Sequence, residues 1–120
     1  MTTEDMVHFE DWEKLDIRVG KILKVEEHPN AENLYVLKVD FGKEIGKRTI
    51  VTGLKNYCSK KDLEGKSAIF IVNLEPKTIR GIKSQGMILA ASSPDKSNVC
   101  ILTPDLEEIE IGSKVSWLLK

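Results

Sequence analysis

Apolar residues fall at every second position over two stretches in the first half of the chain. Ile17, Val19, Leu23 and Val25 alternate with Asp16, Arg18 and Lys24, a period of two that predicts a strand with one covered face. Lys21 on the apolar side and Ile22 on the other interrupt the pattern. Tyr35, Leu37, Val39 and Phe41 alternate with Val36, Lys38 and Asp40 and predict a second strand. Between the two, His28-Pro29-Asn30-Ala31 is a loop, because Pro and Asn punctuate the chain and the alternation lapses. Arg48 to Thr52 is a short β-branched run closed by Gly53, a third strand.

Ser59 to Gly65 carries a Ser N-cap and a terminal Gly around little more than one turn, and predicts a short helix. Ala68 to Val72 is apolar on both faces and predicts a strand covered on two sides. Asn73 to Gln85 reads as a long polar loop, followed by strands over Met87 to Ala91 and Val99 to Leu102. Residues 1–14 form an acidic N-terminal segment with a short helix expected between Asp5 and Leu15, Phe9 and Trp12 lying on one side of it. Residues 15–120 form the domain proper, ending in the apolar tail Val115 to Leu119. Three strands, a short helix and further strands, with extra terminal strands, fit an all-β class: the five-stranded Greek-key barrel of the OB-fold. In that barrel nucleic acid lies across strands 2 and 3, between the loop joining strands 1 and 2 and the loop joining strands 4 and 5.

Composition changes this picture little. The chain has 120 residues, 41% hydrophobic and 31% charged, which suits one globular domain. No apolar run approaches the ~20 residues of a membrane-spanning helix. The acidic, charge-broken N-terminus does not fit a secretory signal, so the expected compartment is the cytoplasm. Cys58 and Cys100 match no metal spacing, and His8 and His28 are the only further soft ligands, so neither metal nor cofactor is expected.

Charge is more informative in its distribution than in its sum of −1. Residues 1–13 hold five acids and no Lys or Arg. Residues 14–91 are net +6 and residues 92–120 net −2. A basic body between acidic ends can present a positive face, although charges that merely solvate a surface give the same count.

The chemistry gathers in the two loops that an OB-fold aims at nucleic acid. Lys77, Arg80 and Lys83 recur every three residues and can each meet a phosphate. Asn73, Ser84 and Gln85 can bond base edges, and Met87 offers a soft platform for an unstacked base. Asn30 stands in the first loop, where turn chemistry is the competing reading. A solvated loop whose Gly81 and Gly86 serve turns is the alternative for the second. No phosphate-cradling Gly loop precedes a helix and no Ser or Cys has a His partner in sequence, so catalytic residues are not expected.

Several segments occur together and in order. Phe9-Glu10-Asp11-Trp12 leads to Leu15-Asp16-Ile17-Arg18-Val19-Gly20-Lys21-Ile22, then to His28-Pro29-Asn30-Ala31 with Leu34-Tyr35-Val36. Arg48-Thr49-Ile50-Val51-Thr52-Gly53-Leu54 follows, then Asn73-Leu74-Glu75-Pro76-Lys77 with Arg80-Gly81 and Ser84-Gln85-Gly86-Met87. In this the chain resembles the tRNA-binding domain family. That family includes endothelial monocyte-activating polypeptide II, the C-terminal domains of methionyl- and tyrosyl-tRNA synthetases, and small free-standing tRNA-binding proteins.

The resemblance implies an OB-fold that binds tRNA by shape and backbone with little regard for which tRNA it is. Such a domain assists an aminoacyl-tRNA synthetase, here methionyl, in cis or in trans. The family's binding residues map onto Asn73, Lys77, Arg80, Ser84, Gln85 and Met87, and Lys83, Asn30 and Arg18 complete the candidate set. Export chaperones share the fold, and the Ser84–Met87 segment sets this chain apart from them. A secreted cytokine-like role, tied to a segment at the position of Arg18 to Lys24, is a further alternative; an ordinary barrel strand is the plainer reading there. Monocyte-activating polypeptides carry a second subdomain that this chain lacks, whereas free-standing members pair. A homodimer through Trp117, Leu118 and Leu119 is therefore expected.

Overall fold

The structure, a computed structural model, describes residues 1–118; Lys120 and Leu119, the latter expected at a dimer contact, lie outside the described residues. In chain order the elements are α1 (Phe9–Glu13), β1 (Ile17–Glu27), β2 (Tyr35–Asp40), β3 (Lys47–Thr52), α2 (Lys60–Leu63), β4 (Ser67–Ile71), β5 (Lys77–Ile79), β6 (Ile82–Ser84), β7 (Met87–Ile88), β8 (Ala90–Ser92), β9 (Val99–Ile101) and β10 (Lys114–Val115). A 3-10 turn, Thr3–Asp5, precedes α1.

β1 is the spine. Its first residues pair antiparallel with β4 and its later ones with β2, so one strand serves both halves of a curved sheet ordered β3-β2-β1-β4-β7. The pairing with β2 shifts register between Ile22 and Lys24. A bulge flips the side-chain alternation, which explains the broken sequence pattern. Ahead of the bulge Ile17 and Val19 are buried on one face and Ile22 on the other; past it Val25 joins Ile22 in the core, and Leu23, expected on the covered face, is exposed.

Inside the barrel Phe41 meets Phe70 edge to face, centroids 5.1 Å apart, among the fully buried Ile22, Leu37, Val39, Ile50 and Leu63. Ala68 and Phe70 of β4 join this core, whereas Ile71, Ile17 and Val19 are buried outside it. This accounts for a β4 that reads as apolar on both faces. The C-terminal segment returns along β1, with Val19 donating to Ser113 O and Gly112 to Val19 O, before β10 pairs with Ile17 and Arg18. α2 begins at Ser59, whose Oγ accepts the Asp62 N–H at 3.2 Å.

Three expectations are corrected. The stretch from Asn73 to Gln85 is not an open loop: it contains the β5–β6 hairpin, joined by a two-residue turn at Arg80 (φ 51°) and Gly81 (φ 92°). Two positive φ values suit the twist of a tight hairpin, but Asn-Gly is its usual sequence and Arg-Gly conceals it. The strand expected over Met87 to Ala91 is interrupted at Leu89, whose N–H still donates to Ile69 O of β4, and the chain then enters the β8–β9 hairpin. The N-terminal helix is confined to Phe9–Glu13.

Candidate nucleic-acid interface

The hairpin places its charges around a ribbon rather than in a row. Lys77 pairs with Ser84 and Thr78 with Lys83. Paired residues share a face and successive residues alternate, so the two lysines project to opposite faces with Arg80 at the tip. Lys77, Arg80 and Lys83 are all exposed, and none makes an ion pair among the described residues.

The tip is docked to the loop between β1 and β2. Arg80 Nε and Nη2 donate to the Asn30 carbonyl at 3.2 and 3.0 Å. His28 Nε2 lies 3.0 Å from Ile79 O, and the Asn30 N–H donates to His28 Nδ1 at 3.0 Å. Between loop and hairpin is a cleft of about 830 Å³, lined among others by His28, Asn33, Lys55 and Arg80. Lys55 also pairs with Glu27, and its hydrogen bond holds that carboxyl below the usual range, so Lys55 is the more neutralised of the cleft's cations.

The base of the same segment is spent on the barrel. Asn73 Oδ1 accepts the Asp16 N–H at 2.7 Å and its Nδ2 donates to Lys14 O at 2.6 Å, tying the end of β4 to the start of β1. Ser84, 5% exposed, accepts the Val51 N–H at 2.9 Å and donates to Gly86 O at 3.2 Å. Gln85 donates its own N–H to Thr49 O at 2.9 Å and accepts the Thr49 N–H on Oε1 at 3.2 Å. Arg48 adds bonds to the carbonyls of Val72 and Gln85.

β3 and β7 are not joined by a regular ladder; these bonds along β3 bridge the seam between them. Gly86 belongs to the same closure: at φ 148° a β-carbon would stand 2.9 Å from Ile71 O. Ser84 and Gln85 are expected to face a ligand, but Ser84 Oγ and Gln85 Oε1 are thus engaged within the barrel. Met87 is 43% exposed on the adjoining strand.

Arg18 is likewise committed. Its guanidinium donates to Asp16 at 2.6 and 3.2 Å, to Glu44 at 2.7 Å and to Gly112 O at 3.2 Å. Those carboxylates, Asp16 first, push its pKa above the ordinary arginine value. Two lysines outside the candidate set lie on the exposed face of β2 and β3: Lys38, opposite Thr49, and Lys47, opposite Asp40. The signal for Lys38 was the polar half of the strand alternation; Lys47 stands one residue ahead of the run expected as the third strand.

At the other end, Phe9 stacks on Trp117 with centroids 4.6 Å apart and planes 8° from parallel. Trp12, Leu15, Val115 and Leu118 line the adjoining cavity of about 490 Å³. Leu118 is 87% and Trp117 47% exposed.

A barrel closed by side-chain bonds, with a basic hairpin docked on its first loop, defines an OB-fold domain of the nucleic-acid-binding kind. Residues 17–114 match the family described as "Putative tRNA binding domain", and the chain belongs to it. It is 53% identical over 111 residues to a methionine–tRNA ligase of Pyrococcus horikoshii, covering 92% of this chain and 15% of that protein. The chain therefore spans about one-seventh of the length of such relatives. Among solved structures, a MetRS related protein from Pyrococcus horikoshii superposes with a TM-score of 0.85 at 37% identity, covering 93% of this chain and 99% of that one. The CsaA chaperone protein from Picrophilus torridus superposes with a TM-score of 0.83 at 37% identity, covering 92% of this chain and 100% of that one.

Proposed function

We propose that this chain is a non-catalytic tRNA-binding module that assists a methionyl-tRNA synthetase, in cis or in trans, in the cytoplasm. The observation that carries the reading is the hairpin: Lys77, Arg80 and Lys83 are exposed, without ion partners among the described residues, and held on a ribbon docked to the barrel. Binding is electrostatic and follows the tRNA backbone, so it discriminates little between tRNA species. Tethering tRNA beside a synthetase raises its effective concentration there without any chemistry on the RNA. Lys38 and Lys47 extend the positive track along β2 and β3, the strands on which OB-folds lay nucleic acid.

The apolar end around Phe9, Trp12, Trp117 and Leu118 is the surface through which two copies pair, by closed twofold symmetry. Light scattering should then give a mass near twice the 13.5 kDa chain at micromolar concentration, and a clean monomer would refute pairing.

Titration with labelled tRNA at two salt concentrations tests the main reading. Affinity should fall steeply with salt and differ little between tRNA species. The likeness to a CsaA chaperone protein favours one competing reading, the capture of unfolded polypeptide. An unfolded protein that binds more tightly than tRNA, and displaces it, would select that alternative.

A further inference from the structure

We propose that His28 is the positioning residue that holds the Arg80 hairpin in place for RNA; the inference rests on the tRNA-binding reading above. His28 is 5% exposed at the head of the loop between β1 and β2, a loop closed by its backbone N–H on Leu34 O at 3.1 Å. Both ring nitrogens are engaged. A backbone amide can only donate, so the Asn30 N–H at 3.0 Å makes Nδ1 the acceptor, and the proton of the neutral ring belongs to Nε2. Nε2 therefore donates to Ile79 O, 3.0 Å away on the last residue before the hairpin turn.

Arg80 follows in the left-handed region at φ 51°, a conformation that Asn or Gly adopts more readily than Arg. Its guanidinium folds back onto Asn30 O. The result is a closed circuit: His28 to Ile79, Ile79 to Arg80 along the chain, Arg80 to Asn30 O, and Asn30 N–H back to His28. One buried imidazole thus joins the two loops of the binding face. It sets where the guanidinium stands, while Nη1 makes no bond of its own among the described residues. Fixing a contact before the ligand arrives lowers the ordering cost of binding. The charged groups lining this cleft are Glu27, Glu32, Lys55 and Arg80 itself.

Asparagine and glutamine divide the two arms of the ring. Asn places an acceptor where Nδ1 stands and reaches no further; Gln places a donor where Nε2 stands and leaves the Asn30 N–H unmet. The experiment measures tRNA affinity and amide hydrogen exchange of the free protein for wild type, His28→Asn, His28→Gln, Arg80→Ala and the His28→Asn/Arg80→Ala pair. His28→Asn should weaken tRNA binding by up to about tenfold, the worth of one buried bond, and speed exchange across residues 77–84. His28→Gln should keep most of the affinity and the hairpin's protection, while the Asn30 amide exchanges faster.

With Arg80→Ala present, His28→Asn should cost much less, because Ser84 still anchors the hairpin's base. Equal losses for Asn and Gln, or a His28→Asn loss that adds in full to that of Arg80→Ala, would overturn the positioning role. A wild-type protein that does not bind tRNA overturns the functional reading instead. Exchange then decides the staple by itself, and hairpin protection indifferent to Asn or Gln would refute it.

Discussion

The two ends of the segment from Asn73 to Met87 differ more than their shared polarity suggests. At the base, Asn73 satisfies backbone groups just ahead of β1, and Ser84 and Gln85 satisfy backbone groups of β3, where they stand in for the ladder that β3 and β7 do not form. Out along the hairpin to its tip, the side chains of Lys77, Lys83 and Arg80 satisfy nothing on the barrel among the described residues except the Asn30 carbonyl, which Arg80 meets. A buried backbone donor without an acceptor is costly, while an exposed lysine without a partner costs little. Polar residues of one short stretch are therefore divided between folding and binding by where their neighbours leave unmet groups. On this account the base holds the tip in place, and the tip meets the RNA.

Changing the tip should give the largest effect on binding. Lys77→Ala with Arg80→Ala removes two charged contacts, and tRNA affinity should fall by about a hundredfold, at roughly tenfold for each. The slope of log affinity against log salt should flatten by about one unit per lost phosphate contact, less if the contacted strand is single. The melting temperature should scarcely move. An unchanged affinity would end the division between tip and base.

The base should show the opposite signature. Ser84→Ala strands the Val51 N–H in a buried seam, costing about 1–3 kcal/mol and several degrees of melting temperature. Affinity for tRNA, measured where the variant is folded, should scarcely change, because the Ser84 hydroxyl already accepts from Val51 N–H and donates to Gly86 O inside the barrel. Calorimetry beside a binding titration checks both. A large loss of affinity with an unmoved melting temperature would return Ser84 to the contact surface.

Met87 sits between the two regimes, half-exposed on a strand paired with β4. Stacking of a base on an aromatic is worth about 1–3 kcal/mol, and a thioether belongs at the lower end. Met87→Ala should therefore cost up to about tenfold in affinity with a modest fall in melting temperature. Unfolding of the variant would assign Met87 to the core.

How far the sequence discloses this division depends on which physical signal each part leaves. Strands β1 to β4 were legible because their covered faces alternate or run continuously apolar, and the bulge at Ile22 was visible as a break whose meaning needed the register. The hairpin was hidden because its strands carry few apolar residues and its turn uses Arg where Asn is usual. The charged tip was legible as a charge pattern. The seam was not, since nothing local marks a Ser or Gln that bonds a strand more than thirty residues away. His28 was legible only as a loop residue, because its role depends on Ile79, which the fold brings to it.

The most direct test compares Arg80→Ala with Ser84→Ala in one salt series of tRNA titrations, with melting temperature recorded for each. The account predicts a flatter salt slope and intact stability for Arg80→Ala, and a native slope with lowered stability for Ser84→Ala. The reverse assignment, or equal slopes in both variants, would contradict it.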